Sequence, residues 1–309
     1  ISNSKNLKKI LSLGLIPPVN QMSNIKSPPK DQLFFPTELF YCPTSHLVQL
    51  GIEVDKKVIF PKEYPYTSST TKILRDNFAE LAKEVNQHYS LTDKDLVIDI
   101  GSNDGNLLSN FKKQCRILGV TPEDIAKIAI KKGIPTIQDY FSKNLSLKIE
   151  KKYGKAKIIT ATNVFAHMDN ILTLLKSIKK LMKKDGLFIS ESHYLYDLIH
   201  QNQYDTVYHE HLRYYSLTSL NFLFDKVDLE IIRAKKIKTH GGSIRVYAAK
   251  KGIYKKSKNL KSIFDIEKKL FQRKLYSFSK KVIKSKLDLY KLLSKIKKNS
   301  VRIYGISAP

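Results

Sequence analysis

Histidine, glutamate and tyrosine side chains crowd into one short stretch of the chain, Tyr208-His209-Glu210-His211. Imidazoles beside a carboxylate and a phenol can take up and donate protons near neutral pH, because histidine titrates there and its neighbours can orient it. The pattern therefore predicts general acid–base chemistry. A single histidine satisfied within a packed corner is the simpler alternative, and it explains one of these residues but not the group. The spacing does not match a two-histidine zinc site on a helix.

A second motif, the loop Asp99-Ile-Gly101-Ser-Asn103-Asp-Gly105, follows the apolar segment 96–100 and precedes a helical pattern. Glycines at such a turn let backbone N–H groups approach a ligand closely. The spacing Asp-x-Gly-x-x-x-Gly differs from the Gly-x-Gly-x-x-Gly of dinucleotide folds. It resembles the cofactor loop of class I S-adenosylmethionine-dependent methyltransferases, which implies cofactor contacts for Asp99, Gly101, Asn103 and Gly105. An unrelated strand–helix turn is the alternative.

Two further acidic positions belong to the same expected cofactor site. The acid that usually follows the second strand and accepts from ribose hydroxyls is replaced by Thr121, with Glu123 or Asp124 as substitutes. Asp139 either accepts from the adenine amino group or caps the helix that begins after Tyr140.

The residues that must position these motifs alternate between strand and helix patterns. Helices are predicted from Thr71 onward and over 106–113, 123–132 and 170–183, and strands over 96–100, 116–120, 157–161, 186–190 and 244–248. This alternation predicts an α/β fold with a doubly wound parallel sheet. The stretch from His193 to Tyr215 then lies beyond the carboxyl end of a strand, where such sheets bind ligands.

At 309 residues the chain is too long for one domain of ~100 to 200 residues. Residues 1–70 hold eight of the eleven prolines and predict a small irregular N-terminal lobe. We assign 71–195 to a cofactor-binding Rossmann-like core, 196–250 to a substrate-side segment that completes it, and 251–309 to basic helices that start a truncated C-terminal α/β lobe.

The formal net charge of +27 invites a nucleic-acid or phosphate-binding interpretation. Only seven of the 55 basic residues are arginines, however, whereas sites that bind phosphate in fixed geometry favour the guanidinium fork. The basic region instead carries apolar residues at helical spacing, namely Ile263, Ile266, Leu270, Phe278, Val282, Leu289, Leu292 and Ile296. Solvated faces of packed helices are expected there, with a patch for a phosphorylated ligand as the alternative, and no nucleic-acid partner.

Two cysteines, Cys42 and Cys115, are too few for a secreted disulfide scaffold. No apolar run reaches the ~20 residues that span a bilayer. We expect a soluble, cytoplasmic protein without a membrane partner. Because Ile1 replaces a starting methionine and 301–309 read as a strand entering a glycine turn, we also expect a fragment.

Nearly the whole chain resembles the S-adenosylmethionine-dependent sugar C-methyltransferases that act on nucleoside-diphosphate 4-keto-6-deoxy sugars. The similar segments are Leu11-Ser-Leu-Gly-Leu-Ile-Pro-Pro-Val-Asn20, Tyr64-Pro-Tyr66-Thr-Ser68-Ser69, Thr162-Asn163-Val-Phe-Ala-His167, Asp205-Thr-Val-Tyr208-His-Glu-His211, Gly241-Gly-Ser-Ile-Arg245 and Tyr304-Gly-Ile-Ser-Ala-Pro309. The Tyr-His-Glu-His string is the more specific of these motifs.

The resemblance implies a mechanism in which a base removes a proton next to a ketone and the resulting enolate takes the methyl group of S-adenosylmethionine. It implies His211 as the base, Tyr208 and Glu210 as groups that orient it or stabilise the enolate, and His167 and Tyr66 as further members of the pocket. A methyltransferase directed at oxygen or nitrogen, or a non-catalytic ligand-binding relative, are the alternatives.

Binding residues also follow from the resemblance. Asn163 and Ser68 are expected on the cofactor side, and His209, His193 and Arg245 on the side of the nucleoside-diphosphate sugar. Arg245 and the lysine-rich C-terminal region are expected to meet the diphosphate as charge partners.

Members of this family carry an N-terminal zinc lobe built on two Cys-x-x-Cys pairs. Here the first pair would precede Ile1, and the second survives only as Cys42-Pro-Thr-Ser45, with His46 as a weak substitute ligand. Tetrahedral zinc needs four soft or imidazole ligands. We therefore expect no bound zinc and regard Cys42 as a remnant.

Overall fold

The computed structural model describes residues 1–20, 32–59, 67–299 and 301–302. The strands in these ranges are β1 (Lys8–Ile16), β2 (Phe35–Cys42), β3 (Leu47–Leu50), β4 (Leu96–Ile100), β5 (Arg116–Val120), β6 (Thr136–Ile137), β7 (Ala156–Thr162), β8 (Met182–His193), β9 (Arg213–Tyr214), β10 (Leu229–Ile237) and β11 (Ser243–Lys250). The α-helices are α1 (Lys56–Ile59), α2 (Lys72–Tyr89), α3 (Asn106–Ser109), α4 (Ala126–Lys131), α5 (Lys143–Tyr153), α6 (Ile171–Leu181), α7 (Leu195–Gln201), α8 (Leu217–Asp225), α9 (Leu260–Lys269) and α10 (Phe278–Lys298).

Seven strands form the main sheet in the order β10-β11-β8-β7-β4-β5-β6. Strands β8, β7, β4, β5 and β6 run parallel, and β11 and β10 add an antiparallel edge. All five residues of β4 are buried because helices cover both faces of the sheet. The predicted doubly wound α/β fold is confirmed, and the carboxyl ends of β4, β5 and β7 meet at one edge.

Apolar clusters on the two sides of the main sheet hold it rigid. Neighbouring residues of β4 point to opposite faces, so Val97 packs in the cluster that includes Leu81 of α2, whereas Ile98 packs in the cluster that includes Leu175 of α6. Each fully buried side chain of this size contributes roughly 1.5 to 3 kcal/mol. The strand ends that carry the motifs are therefore fixed in relation to one another.

The N-terminal lobe is more regular than the prolines suggested. Strands β1, β2, β3 and β9 form an antiparallel sheet. Strand β2 buries Thr37, Leu39 and Tyr41 on one face, which is the two-residue alternation of a half-buried strand. Strand β9 joins through the pair Val48 and Tyr214, so the segment that follows the Tyr-His-Glu-His string is tied to this lobe.

The basic C-terminal helices are packed only in part. Phe278 and Val282 are buried against the N-terminal sheet, whereas Leu289 and Leu292 are 51% and 54% exposed, contrary to the packing that their spacing predicted. Among the residues described, no helix has both the length and the apolar character needed to cross a bilayer. The similar segment from Tyr304 to Pro309 lies outside the described residues.

Candidate active site

A cavity of about 490 Å³ opens at the carboxyl ends of β4, β5 and β7. Its volume lies in the range of ~300 to 1,000 Å³ that is typical of small-molecule sites. The predicted cofactor residues that line it are Ser68, Asp99, Gly101, Asn103, Asp139 and Asn163, joined by His167.

The glycine loop needs its glycines for two different reasons. Gly101 has a φ of +75°, and a Cβ there would lie 2.2 Å from Val164 Cγ2, so only glycine fits beside the cavity. Gly105 has a φ of +78° at the start of α3, and its Cα faces Ile134. Gly105 does not line the cavity, so the expected direct cofactor contact is replaced by a role in shaping the turn.

Ser68 fixes the segment before α2 to this loop. Its backbone N–H donates to Asn103 Oδ1 at 2.9 Å, and its hydroxyl donates to Asp104 Oδ1 at 2.7 Å. Lys132 Nζ lies 2.8 Å from the other Asp104 oxygen. Burial would raise the pKa of Asp104, but the hydrogen bonds from Lys132 and the serines lower it below its usual value. Asp104 therefore acts as an anionic anchor beneath the cavity wall.

Asp99, the acid at the end of β4, lies in the cavity wall and is only 2% exposed. Burial raises the pKa of its carboxyl to about 7, although a hydrogen bond from Thr160 Oγ1 at 2.6 Å acts in the opposite direction. A cation bound beside it would restore the ionised form.

Glu123 is the acidic residue beside Thr121 that lies at the cavity. The Thr121 hydroxyl donates to Glu123 Oε2 at 2.6 Å, and Glu123 lines the cavity. Asp124 instead pairs with Lys127 at 2.9 Å. Of the two substitutes considered from the sequence, Glu123 is the one in position to accept from ribose hydroxyls.

The alternative cap role of Asp139 is wrong. The N-cap of α5 is Ser142, whose hydroxyl accepts from Leu145 N. Asp139 stays at the cavity, where one carboxylate oxygen accepts from Tyr140 N at 2.7 Å.

Two buried oxygens in the cavity wall, Asn163 Oδ1 and Ser102 Oγ, have no hydrogen-bond partner within the described residues. Buried polar atoms are normally satisfied, so these two fit a polar ligand. Asp99 for a cationic amino-acid group and Glu123 for ribose hydroxyls complete a donor and acceptor set that suits S-adenosylmethionine.

His167 connects this cavity to the Tyr-His-Glu-His string. It lines the cavity, and the centroid of its ring lies 5.0 Å from that of His211. Its Nδ1–H donates to the backbone oxygen of Glu210 at 2.5 Å, and burial lowers its pKa below the usual value. His167 is thus the cavity residue that contacts the histidine–tyrosine group.

His211 is held in one tautomer. Its Nδ1–H donates to the carbonyl oxygen of Thr206 at 2.9 Å, which leaves the lone pair on Nε2. The Tyr208 hydroxyl lies 3.2 Å from that nitrogen and donates to it. Burial, reinforced by the neighbouring histidines, lowers the pKa of His211 well below its usual value, so the ring is neutral at pH 7.

Glu210 supports this arrangement differently from the prediction. Its carboxylate is buried and accepts from Asn20 Nδ2, while its backbone oxygen holds His167. The hydrogen bond that orients His211 comes from Thr206, a backbone group that the sequence pattern did not single out.

His209 was expected to contact the substrate, but its ring is buried away from the cavity. His209 is 2% exposed, its Nε2 hydrogen-bonds with Thr37 Oγ1 at 3.0 Å, and it packs edge-on against Phe35. His209 therefore lies against strand β2 of the N-terminal sheet, whereas His211 lies beside His167 and His193.

Arg245 is also corrected. Its side chain is 0% exposed, Nε donates to Glu191 at 3.0 Å, and Nη1 donates to Glu84 at 3.0 Å. Nη2 donates to Asn77 Oδ1 at 2.7 Å. A buried guanidinium must be paired, and these partners join α2 to the sheet. Arg245 is therefore unavailable to a diphosphate.

His193 ends β8 with its ring centroid 4.9 Å from that of His211, and burial lowers its pKa to about 3. Beyond it the ring of His240 lies 5.5 Å away. The sequence pattern does not single out His240, although this histidine directly precedes Gly241 and Gly242. Tyr66 lies outside the described residues.

Within the described residues, no three side chains that could bind a metal come together, so the region around Cys42 does not form a tetrahedral zinc site there. Ser45 takes the place of a second thiolate and, with Ser2, lowers the pKa of Cys42 to about 7 against the raising effect of burial. The His46 ring is engaged by the Tyr41 hydroxyl at 2.7 Å and packs on Phe271.

The residues that line this cavity fall within the part of the chain that matches a known family. The family model "Methyltransferase domain" matches residues 68–234, which is more than half of the chain. Two further models match on either side, "Putative zinc binding domain" over 1–60 and "C-methyltransferase C-terminal domain" over 238–309. The chain belongs to the S-adenosylmethionine-dependent methyltransferase family.

Among curated proteins, the chain is 31% identical over 242 residues to the C-methyltransferase NovU of Streptomyces niveus. The match covers 78% of this chain and 57% of that protein, so the chain spans little more than half of its relative's length. The magnesium protoporphyrin IX methyltransferase ChlM of Synechocystis, solved with bound S-adenosylmethionine, is 12% identical over 57% of this chain and 79% of its own, with a TM-score of 0.43. The complex of the Haloferax volcanii Trm112 methyltransferase activator with a methyltransferase is 13% identical over 57% of this chain and 92% of that chain, with a TM-score of 0.44. Likenesses at this level are too distant to bear on the site.

Proposed function

We propose that this protein is an S-adenosylmethionine-dependent C-methyltransferase that acts on a nucleotide-linked 4-keto-deoxysugar through a base-generated enolate. The match to a C-methyltransferase C-terminal domain and the similarity to a C-methyltransferase support transfer to carbon. The observation that carries the proposal is the fixed tautomer of His211, whose basic Nε2 belongs to a ring in contact with His167 at the cavity wall.

When bound, S-adenosylmethionine supplies a methyl group on a positively charged sulfur. A carbon acceptor must first be made nucleophilic, which requires removal of a proton from the carbon next to the ketone. His211 takes that proton at Nε2, because Nδ1 is held by the Thr206 carbonyl. Its low pKa keeps the base in the neutral, competent form at pH 7.

Tyr208 has a second part in this scheme. In the resting site its hydroxyl donates to His211 Nε2 at 3.2 Å. When the ketosugar binds, the same hydroxyl turns to the keto oxygen, which frees Nε2 and places a donor where negative charge develops. His167, fixed by Glu210 O, stands between the base and the cofactor cavity and holds the two reactants in register.

The nucleotide-linked sugar follows from the sequence resemblance and from the charge of the C-terminal helices. With Arg245 committed to Glu84 and Glu191, the exposed lysines of α9 and α10 are the candidates for the diphosphate. Salt should then weaken substrate binding more than cofactor binding.

Two measurements on the full 309-residue chain test the proposal. The first is mass spectrometry of nucleotide-linked 4-ketosugars incubated with methyl-labelled S-adenosylmethionine. The second is deuterium uptake from D₂O at the carbon next to the ketone when cofactor is omitted. We expect a labelled carbon and deuterium uptake. A methyl group found on oxygen or nitrogen without deuterium uptake would contradict the enolate route.

The base assignment is tested by His211→Asn, with His200→Asn as the matched control because His200 is exposed on α7. We expect the first variant to lose roughly 10²- to 10⁴-fold in turnover with unchanged affinity for S-adenosylmethionine. The control should keep full turnover. Normal methylation by the first variant would show that His211 is not the base.

A further inference from the structure

Four imidazole rings follow one another from the cavity wall to the protein surface. The successive centroid distances are 5.0 Å from His167 to His211, 4.9 Å from His211 to His193 and 5.5 Å from His193 to His240. His240 is exposed to solvent. Centroid separations of 4.9 to 5.5 Å place neighbouring rings side by side, and an imidazole can both accept and donate a proton.

The proposed reaction needs such an exit, because transfer to carbon releases one proton in every turnover. The C–H bond breaks, its electron pair stays on the substrate as the enolate, and the proton goes to His211 Nε2. The new C–C bond then forms from that pair while the sulfur–methyl bond breaks and leaves its pair on sulfur. The proton remains on His211, and it must reach solvent before the next turnover can begin.

A turn with an unusual backbone conformation holds His240 at the outer end of this series of four rings. Its φ of +52° is left-handed, which is uncommon for a residue other than glycine and is retained only where the surroundings fix it. The turn is held by Gly242 N donating to Thr239 O at 3.0 Å and by Gln203 Nε2 donating to Gly241 O at 2.7 Å. These bonds keep the imidazole beside His193.

We propose that His193 and His240 form a proton exit that carries the proton from His211 to solvent, with His240 as the relay residue at the surface. This inference rests on the proposed function. Burial lowers the pKa of His193 to about 3 and that of His211 well below its usual value. Both inner rings are therefore neutral at pH 7, and either one holds a proton only transiently.

The test compares turnover of His240→Asn in dilute buffer and in the presence of imidazole. Asparagine tolerates the left-handed backbone but does not titrate, and His200→Asn again serves as the control. We expect a roughly 10-fold lower kcat in dilute buffer, smaller than the loss for removing the base itself. Substrate KM and cofactor affinity should not change, and imidazole should restore kcat.

A merely structural role for His240 would not respond to imidazole, so an unrescued loss would overturn the inference, as would full kcat in dilute buffer. The double variant H193N/H240N gives a second check, since two steps on one path should not multiply their losses. Multiplied losses would show that the two rings act separately. If the unmodified protein shows neither methylation nor deuterium uptake, the proposed function fails and the exit with it, an outcome distinct from an active protein that ignores the His240 change.

Discussion

The affinity for S-adenosylmethionine should depend on pH through Asp99. Asp99 lies in the cavity wall and is only 2% exposed, and burial raises the pKa of its carboxyl to about 7. The ionised form is the one that attracts the ammonium group of the cofactor. In the ligand-free protein Asp99 is protonated below pH 7, so binding there must expel a proton, and affinity falls as the pH falls.

The size of the effect follows from the titration. With a pKa of about 7, roughly three quarters of the ligand-free molecules carry the charge at pH 7.5 and about 3% at pH 5.5. The dissociation constant should therefore rise roughly 25-fold between these two pH values. Burial lowers the pKa of His167, which also lines the cavity, below its usual value.

Calorimetry from pH 5.5 to 7.5 measures this slope, and two controls isolate its cause. Methylthioadenosine lacks the amino-acid end of the cofactor, so its affinity should not follow the titration. In Asp99→Asn the side-chain oxygen can still accept from Thr160 but nothing titrates, so S-adenosylmethionine should bind more weakly at pH 7.5 and without a slope. Unchanged affinity of the unmodified protein across this range, or an equal slope in the variant, would refute the reasoning.

Three other results are expected. Tyr208→Phe removes the hydroxyl that donates to His211 Nε2 and should lower kcat about 10-fold or more without changing cofactor affinity; equal kcat in steady-state assays would argue against its role at the keto oxygen. Arg245→Met leaves Glu84 and Glu191 without their buried partner. Urea denaturation should show a loss of about 3 to 5 kcal/mol of unfolding free energy. The control Lys72→Met breaks an exposed pair with Asp76 and should cost less than about 1 kcal/mol. Treatment with a zinc chelator should leave the thermal midpoint unchanged, because the N-terminal sheet is packed through an apolar cluster; a fall in the midpoint would reveal a metal.

Local patterns in the sequence were enough for the elements that form the cavity wall. The apolar run 96–100 is strand β4 with the same bounds, and the helical spacing after Thr71 is α2. The positions of Asp99, Gly101 and Asn103 at the cavity then follow from where that strand ends. Periodicity reports which faces of nearby residues are buried, so elements formed by near neighbours are readable without coordinates.

The partners of buried polar side chains were decided only by the tertiary structure. Nothing near Arg245 in sequence shows that Glu84, 161 residues away, will pair with it, and the Tyr-His-Glu-His string does not show that His209 turns toward Thr37 while His211 turns toward Thr206. Hydrogen bonds and ion pairs of this kind depend on which distant segments the folded chain brings together. The sequence therefore determined that a glycine loop follows strand β4 and that a histidine-rich string follows β8, whereas long-range packing decided which of their residues reach the cavity.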